Sequence, residues 1–379
     1  MTKEKAGKVS MNDLRKLINK KAGDNVAFSL RESNPSEVTD WIPTGSRWLD
    51  SIINRGKIAG IPVGKIVEIA GLEGTGKSYM AAQIAANAQS MGIDVIYFDS
   101  ESAIDPQFLE NSGCDLDKLL YVQAESVEFV LETIEELLGA NENRMLFIWD
   151  SVALTPSKTD IEGDFNPQSS MAVKPRILSK GLSKLTRPIA NSNSTFLCLN
   201  QLKTNITSNV AEAMTTPYFT PGGKALNYAY SLRIWLTGRK ARNAFVEDEK
   251  GYRIGSEVKA KIEKSRFGSF GRQCTFKILW GDDIGIQDEE SWLEAIKKSE
   301  RVKSGGAWYT LVCSDGDPIK FQSKNWIEML KQERFRKNVL EIMDEEIITK
   351  FAERTGDAAD YYDVDEELPN GNAADLAEN

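Results

Sequence analysis

With 379 residues, 41% hydrophobic and 27% charged, the chain has the make-up of an ordinary globular protein, with room for one large core and one or two small satellites. No apolar run is long enough to span a bilayer and no charged-then-apolar leader opens the sequence, so neither membrane insertion nor export is expected and the cytoplasm is the expected compartment. A formal charge of -9, the lack of any histidine and four scattered cysteines (Cys114, Cys198, Cys274, Cys313) argue in turn against a broadly basic surface, a histidine general base, and a zinc or disulfide framework.

Residues 1–40 contain a basic, weakly apolar helix candidate, Met11 to Lys21, in which Met11, Leu14, Leu17 and Ile18 recur at helical spacing. It is either a subunit-docking arm or a helix packed on its own domain. After a lead-in from Trp41, the β-branched run Ile66 to Ala70 predicts a strand and the Ala-rich run Tyr79 to Ser90 a helix. Between them Gly71-Leu72-Glu73-Gly74-Thr75-Gly76-Lys77-Ser78 fills the pattern G-x-x-x-x-G-K-[ST]. Glycines there let backbone N–H groups turn inward around the β- and γ-phosphates, and the helix N-terminus adds positive potential. Lys77 is placed to reach the β/γ oxygens, Ser78 to offer its hydroxyl to Mg²⁺, and Tyr79 to follow as part of the same cradle, so ATP or GTP is expected.

Further strands are predicted at Asp94 to Phe98, Met145 to Trp149 and Thr195 to Leu199, separated by helical patterns such as Val127 to Leu138 and Ile177 to Ile189. This alternation implies an α/β fold with a mostly parallel sheet flanked by helices. Strands at Ser231 to Leu236, Val258 to Ile262 and Thr275 to Trp280 are joined by turns too short for helices and finish the sheet antiparallel. A break near 281–285 divides a core of 41–285 from a small domain of 286–354, which carries the basic turn Lys297, Lys298, Arg301 and Lys303. After Arg354 no Lys or Arg follows, while eight acids do, which leaves the rest of the chain at -1. Residues 355–379 are therefore an acidic disordered tail, either a solvated end or a competitor with a polyanion for a basic surface.

In an open parallel sheet ligands bind beyond the carboxyl ends of the strands. Those ends read Asp99-Ser100-Glu101, Asp150-Ser151 and Asn200-Gln201. Asp150, after an unbroken apolar run, fits the carboxylate that with Ser78 holds the Mg²⁺ shell. With no histidine available Glu101 is the best general base for an attacking water, and Gln201 is placed to hydrogen-bond the γ-phosphate.

The chain resembles the RecA family of homologous recombinases, its arm and tail being more like a phage-encoded member than a typical bacterial one. The matching text is Pro43-Thr44-Gly45-Ser46, Gly64 to Ile69, Gly71 to Ser78, Asp99 to Pro106, Asp150 to Pro156, Ile161-Glu162-Gly163, Asn200-Gln201, Pro221 to Leu226 and Gly306-Ala307-Trp308-Tyr309, over roughly residues 40 to 310. The resemblance implies a RecA-type P-loop ATPase core with a helical N-terminal arm and a small C-terminal α/β domain. It makes Glu101 the water-activating glutamate and Gln201 the residue that reports the γ-phosphate to a DNA-binding loop. Asp105 and Phe108 fall where the family holds adenine, and Trp280 replaces a tyrosine near the base. Lys264 and Arg266 match two cations that cross the subunit interface to the neighbour's triphosphate, which would make hydrolysis depend on assembly.

Two segments resemble the family's DNA-binding loops. One runs from Glu162 to Ala172, with Glu162, Gly163, Asp164, Phe165, Ser169, Ser170 and Met171, and with Lys174 and Arg176 just beyond it. The other runs from Leu202 to about Gly222, with Lys203, Thr204, Asn205, Thr215, Thr216 and Gly222, and with Gly223 just beyond it. Neither is strongly basic, so the phosphate grip would rest on backbone N–H groups and hydroxyls. The expected function is an ATP- and Mg²⁺-dependent strand-exchange recombinase that forms a helical homo-oligomeric filament on single-stranded DNA and pairs it with homologous duplex DNA. A single-strand-binding protein and loading mediators are possible partners. The rival readings are a hexameric helicase on the same fold and an ATP-gated DNA scaffold or mediator without turnover.

Overall fold

The computed structural model describes residues 9–348, apart from 24, 32–36, 103, 164–172, 207–214, 224–225, 239–243, 269 and 281–283. Asp164, Phe165, Ser169, Ser170, Met171 and the acidic tail lie outside the described residues.

Helix α1 (Met11–Ala22) starts where the Ser10 hydroxyl accepts from the Asp13 N–H and stops at Gly23, whose φ of 67° suits a residue without a Cβ. It buries none of its residues, and Met11 (80% exposed) and Leu17 (65%) face outward. A short pair, β1 (Trp41–Ile42) with β2 (Ile61–Pro62), brackets α2 (Arg47–Ile53). The doubly wound core then follows as β3 (Ile66–Gly71), α3 (Lys77–Ser90), β4 (Asp94–Asp99), α4 (Pro106–Asn111), β5 (Leu119–Gln123), α5 (Val127–Ala140), β6 (Met145–Asp150), α6 (Lys158–Glu162), α7 (Val173–Asn191) and β7 (Thr195–Gln201). The small ladder β8 (Lys203–Thr204) with β9 (Tyr218–Phe219) and the single turn α8 (Leu226–Ala229) lead to β10 (Leu232–Gly238). The strands β11 (Phe245–Glu247), β12 (Arg253–Ser265), β13 (Gln273–Leu279) and β14 (Gly285–Gln287) complete the sheet.

Sheet order is β14-β13-β12-β10-β3-β7-β6-β4-β5, with β11 on β12. Every pair from β10 to β5 is parallel and every pair beyond β10 antiparallel. Strand alternation splits the core in two. Val95 and Tyr97 of β4 join the cluster under α3, which holds Met80, Ile84 and Ala88, while Ile96 and Phe98 join the cluster under α5 and α7.

Two expectations are amended. Strand β5 was not anticipated, because Leu119–Gln123 is a half-exposed edge strand without a clean alternation. Strand β12 runs 13 residues rather than the five of Val258 to Ile262, since its polar positions lie on an open face while Ser256, Val258, Ala260 and Ile262 are buried. The region after residue 285 begins by continuing the main sheet, as β14 pairs with β13. It then forms its own three-stranded sheet, β15 (Val302–Gly305), β16 (Trp308–Leu311) and β17 (Ile319–Gln322), whose Phe321 packs edge-on against Phe335. Its apolar side chains share one cluster with those of α2 and α3.

Candidate nucleotide and nucleic-acid site

Parallel register puts the strand-end residues on one level. Gly71 stands opposite Gln201, and Asp99 opposite Asp150. Beyond them opens a cavity of about 910 Å³ lined by Glu73 to Tyr79, Glu101, Asp150, Gln201 and Leu202 on one side and by Arg253, Ser256, Val258, Ile278 and Trp280 on the other.

The cradle is built for close approach. Gly76, at φ 79°, starts α3 without a side-chain cap, so the helix N–H groups face the cavity, and a Cβ there would overlap Ile278. Thr75 pins the turn by donating its hydroxyl to the Leu72 carbonyl at 2.7 Å. Lys77 folds over the loop onto the carbonyls of Leu72 (3.1 Å) and Gly71 (3.4 Å). Burial lowers its pKa, and the charges of Asp150, Glu101 and Glu73 oppose that shift. An ammonium held by carbonyls alone is ready to exchange them for an anion.

Asp150 is 7% exposed, and its Oδ2 accepts from the Ser78 hydroxyl and from the Tyr97 hydroxyl, both at 2.9 Å. Burial raises the Asp150 pKa, and these two bonds work against it. A carboxylate beside a hydroxyl is a hard oxygen donor set, which suits Mg²⁺ and not a soft metal. Glu101 is exposed at the cavity wall and accepts from the Ser151 hydroxyl at 3.2 Å. Its loop hangs on Asp99, whose carboxylate accepts from the N–H groups of Glu101 (2.8 Å), Ser102 (3.0 Å) and Ile104 (3.3 Å), with Ser102 at φ 51°.

Of the residues expected around a base, only Trp280 lines the cavity, joined there by Tyr79 from the end of the cradle. Phe108 lies behind Tyr79, edge-on with ring centroids 4.7 Å apart, and Asp105 caps α4 through the Gln107 N–H. Neither is among the lining residues. Sequence reading missed Arg253 and Ser256: the Arg253 guanidinium stacks on Phe245 at 3.8 Å and donates to Ser256 at 2.7 Å. No motif marks them, because they arrive from an antiparallel strand far along the chain.

Lys264 and Arg266 are not in this cavity. Strand β12 runs antiparallel, so Lys264 pairs with Arg233, which stands level with Glu68, three residues below Gly71. That is a drop of roughly 10 Å along the strand. Both cations donate to carbonyls near α8, Lys264 to Asn227 and Arg266 to Tyr228 (2.7 Å). They point away from their own chain's cradle.

Between the cavity and the 202–222 segment lies a buried polar network. Glu68, wholly buried, accepts from Arg233 Nε at 2.6 Å and from Asn200 Nδ2 at 3.0 Å. Asn200 Nδ2 also reaches the Pro221 carbonyl (3.2 Å), and Arg233 Nη2 the Thr220 hydroxyl (2.9 Å). Burial raises the Glu68 pKa and Arg233 offsets it. The segment's two ends are thus fastened beside one another, with Asn205 donating to the carbonyls of Pro217 (2.8 Å) and Thr216 (3.1 Å). Lys203 and Thr204 are exposed on β8, and Gly222 and Gly223 take φ of 108° and 89°. At the other segment Glu162 and Gly163 end α6, Arg176 is exposed on α7, and Lys174 donates to the Ala153 carbonyl at 2.9 Å. Burial pulls the Lys174 pKa down to about 8. In the basic turn, Arg301 is tied to Glu341 (2.9 Å) and Glu345 (3.2 Å) and Lys297 to Glu294, which partly neutralises it.

Among the described residues no helix is long and apolar enough to cross a membrane. The family model described as the RecA N-terminal domain matches residues 9–285, ending at the first residue of β14. The chain is 32% identical to the protein named RecA of Ruminococcus albus over 77% of its own length and 69% of the relative's. It is 31% identical to that of Heliobacterium modesticaldum over 83% and 85%, and 30% identical to that of Acinetobacter baylyi over 93% and 95%.

Proposed function

This chain belongs to the RecA family, as an ATP-dependent recombinase of DNA recombination and repair, and we propose that it polymerises on single-stranded DNA, pairs that strand with homologous duplex and hydrolyses ATP to turn the filament over. The observation that carries the proposal is the convergence on one cavity of the P-loop, the Ser78–Asp150 pair, Glu101 and Gln201, from four separate strand ends. Bound Mg·ATP supplies the scissile anhydride and the divalent charge that offsets the triphosphate.

The backbone N–H groups of Gly74 to Ser78 and the Lys77 ammonium bind and orient the phosphates, and Ser78 with Asp150 holds the metal shell. Tyr79 and Trp280 give the base two apolar faces, with Phe108 packed behind Tyr79 and Asp105 capping the helix that carries Phe108. Glu101, steadied by Ser151 and by the Asp99-bound loop, takes the proton of the attacking water. Gln201 touches the cavity and opens the 202–222 segment, so the state of the γ-phosphate reaches the DNA grip through one residue. That segment and the segment beginning at Glu162 hold DNA backbones, and base pairing between strands supplies sequence specificity.

The distance of Lys264 and Arg266 from their own cradle supports their service to a neighbour. Such a head-to-tail contact does not close and so builds a filament. The exposed apolar stripe of α1 supports residues 1–40 as the docking arm, with 41–285 as the ATPase core, 286–354 as a small accessory domain and 355–379 as the acidic tail. Work in the cytoplasm, alongside a single-strand-binding protein and loading mediators, fits this role.

Complementation tests the proposal. Steady-state ATP hydrolysis is measured with and without poly-dT on the wild type, on Glu101→Gln, on the double variant Lys264→Ala, Arg266→Ala, and on the two variants mixed. Poly-dT should stimulate the wild type by at least about tenfold, each variant alone should be nearly silent, and the mixture should recover activity, because Glu101→Gln subunits lend their cations to neighbours with an intact glutamate. Equal rates without DNA would favour a preformed helicase-like ring, and a silent mixture would remove the trans cations.

A further inference from the structure

One polar group at the heart of the site has no part in the steps above. The Tyr97 ring sits in the apolar cluster beneath α3 with none of its surface exposed, and its hydroxyl reaches up to Asp150 Oδ2 at 2.9 Å. Packing alone does not call for that hydroxyl: the ring lies in an apolar cluster beside Val95 and beneath α3, and a phenylalanine ring would fill the same space. A hydroxyl buried this deeply costs free energy unless it is bonded, and here the bond is made to the oxygen that also receives the Ser78 hydroxyl.

We infer that Tyr97 is a positioning residue for the metal shell: its hydroxyl fixes the rotation of the Asp150 carboxylate, and through it the Ser78 hydroxyl, in the arrangement that receives a divalent cation. Asp150 closes β6 and Ser78 lies in the first turn of α3, so each holds the other only through side-chain torsions that are free to turn. A third donor, fixed in the core on β4, removes that freedom before the metal arrives. Outer-shell donors of this kind commonly set metal affinity by one to two orders of magnitude. The inference rests on the reading of Asp150 as the metal-shell carboxylate.

The test is Tyr97→Phe in the full chain, probed with Mn²⁺ as an EPR-visible stand-in, titrated in the presence of saturating ADP. The dissociation constant for Mn²⁺ should rise about tenfold. ADP affinity measured calorimetrically without metal, and the melting temperature without ligands, should stay at the wild-type values, a separation that a merely structural hydroxyl would not produce. A Mn²⁺ constant within twofold of wild type, or equal losses of Mn²⁺ and metal-free ADP binding, overturns the inference. Asp150→Asn in the same titration separates the two levels: if it leaves Mn²⁺ binding unchanged, the metal-shell reading itself falls, whereas a large loss in Asp150→Asn beside none in Tyr97→Phe removes only the role of Tyr97.

Discussion

Asp50 illustrates how one side chain ties pH to stability. It is buried at 6% exposure, accepts from the Thr44 hydroxyl at 2.7 Å and from the Thr44 N–H, and lies near Asp288. Burial pushes its pKa up to about 8 from the usual 3.8, against the pull of the Thr44 bonds. Because the folded value is the higher one, folding takes up a proton between these limits. The stabilisation is complete below about pH 4 and is lost as pH rises through about 8. The melting temperature of the wild type should therefore decline across that window, and Asp50→Asn, which keeps the shape without the charge, should flatten the decline; scanning calorimetry at several pH values checks it. Asp99, by contrast, was read in the sequence only as the start of Asp-Ser-Glu, and the bonds its carboxylate accepts from the N–H groups of Glu101, Ser102 and Ile104 and from the Tyr121 hydroxyl at 3.1 Å are what aim the Glu101 loop.

At the scale of elements, three parallel strands and one segment end meet at the buried pair of Glu68 and Arg233. A single guanidinium spans Glu68 on β3 and Thr220 at the end of the 202–222 segment, with two nitrogens of one rigid fork. Arg233→Lys keeps a cation beside Glu68 but cannot reach both partners. DNA-free ATP hydrolysis should stay within about twofold of wild type while the stimulation by poly-dT falls several-fold, since the segment end loses its Thr220 tie to the strand that feeds the P-loop and is held there only through Asn200. Arg233→Met leaves a buried carboxylate uncompensated and should cost roughly 3–5 kcal/mol in denaturant unfolding. A normal poly-dT response in Arg233→Lys would show that the pair serves the core alone.

For the molecule as a whole, charge is divided between a nearly neutral body and a tail that carries eight acids after Arg354. If that tail competes with a polyanion, truncation after Arg354 should tighten duplex binding and make it less Mg²⁺-dependent, and the salt dependence of binding should change slope. An identical salt titration with and without the tail would mark it as a solvated end.

The sequence by itself singled out the candidate nucleotide site, because a P-loop pattern is local: eight consecutive residues between a strand and a helix spell it out. It also determined the α/β alternation and the strand ends at Asp99, Asp150 and Gln201, with Glu101 two residues past the first, since an apolar run that stops on a polar residue marks where a parallel strand leaves the core. The helix at Met11–Ala22 was legible from spacing, but only its unburied stripe favours an arm over an internal packing element. The tertiary structure alone decided the rest. Tyr97 looked like one more apolar strand residue until β4 and β6 placed its hydroxyl on Asp150, and Arg253 joined the cavity only because β12 runs antiparallel beside β10. The same reversal carries Lys264 and Arg266 away from their own cradle. Motifs are short-range and survive in the sequence, whereas register and strand direction are long-range properties fixed only when the whole sheet is assembled.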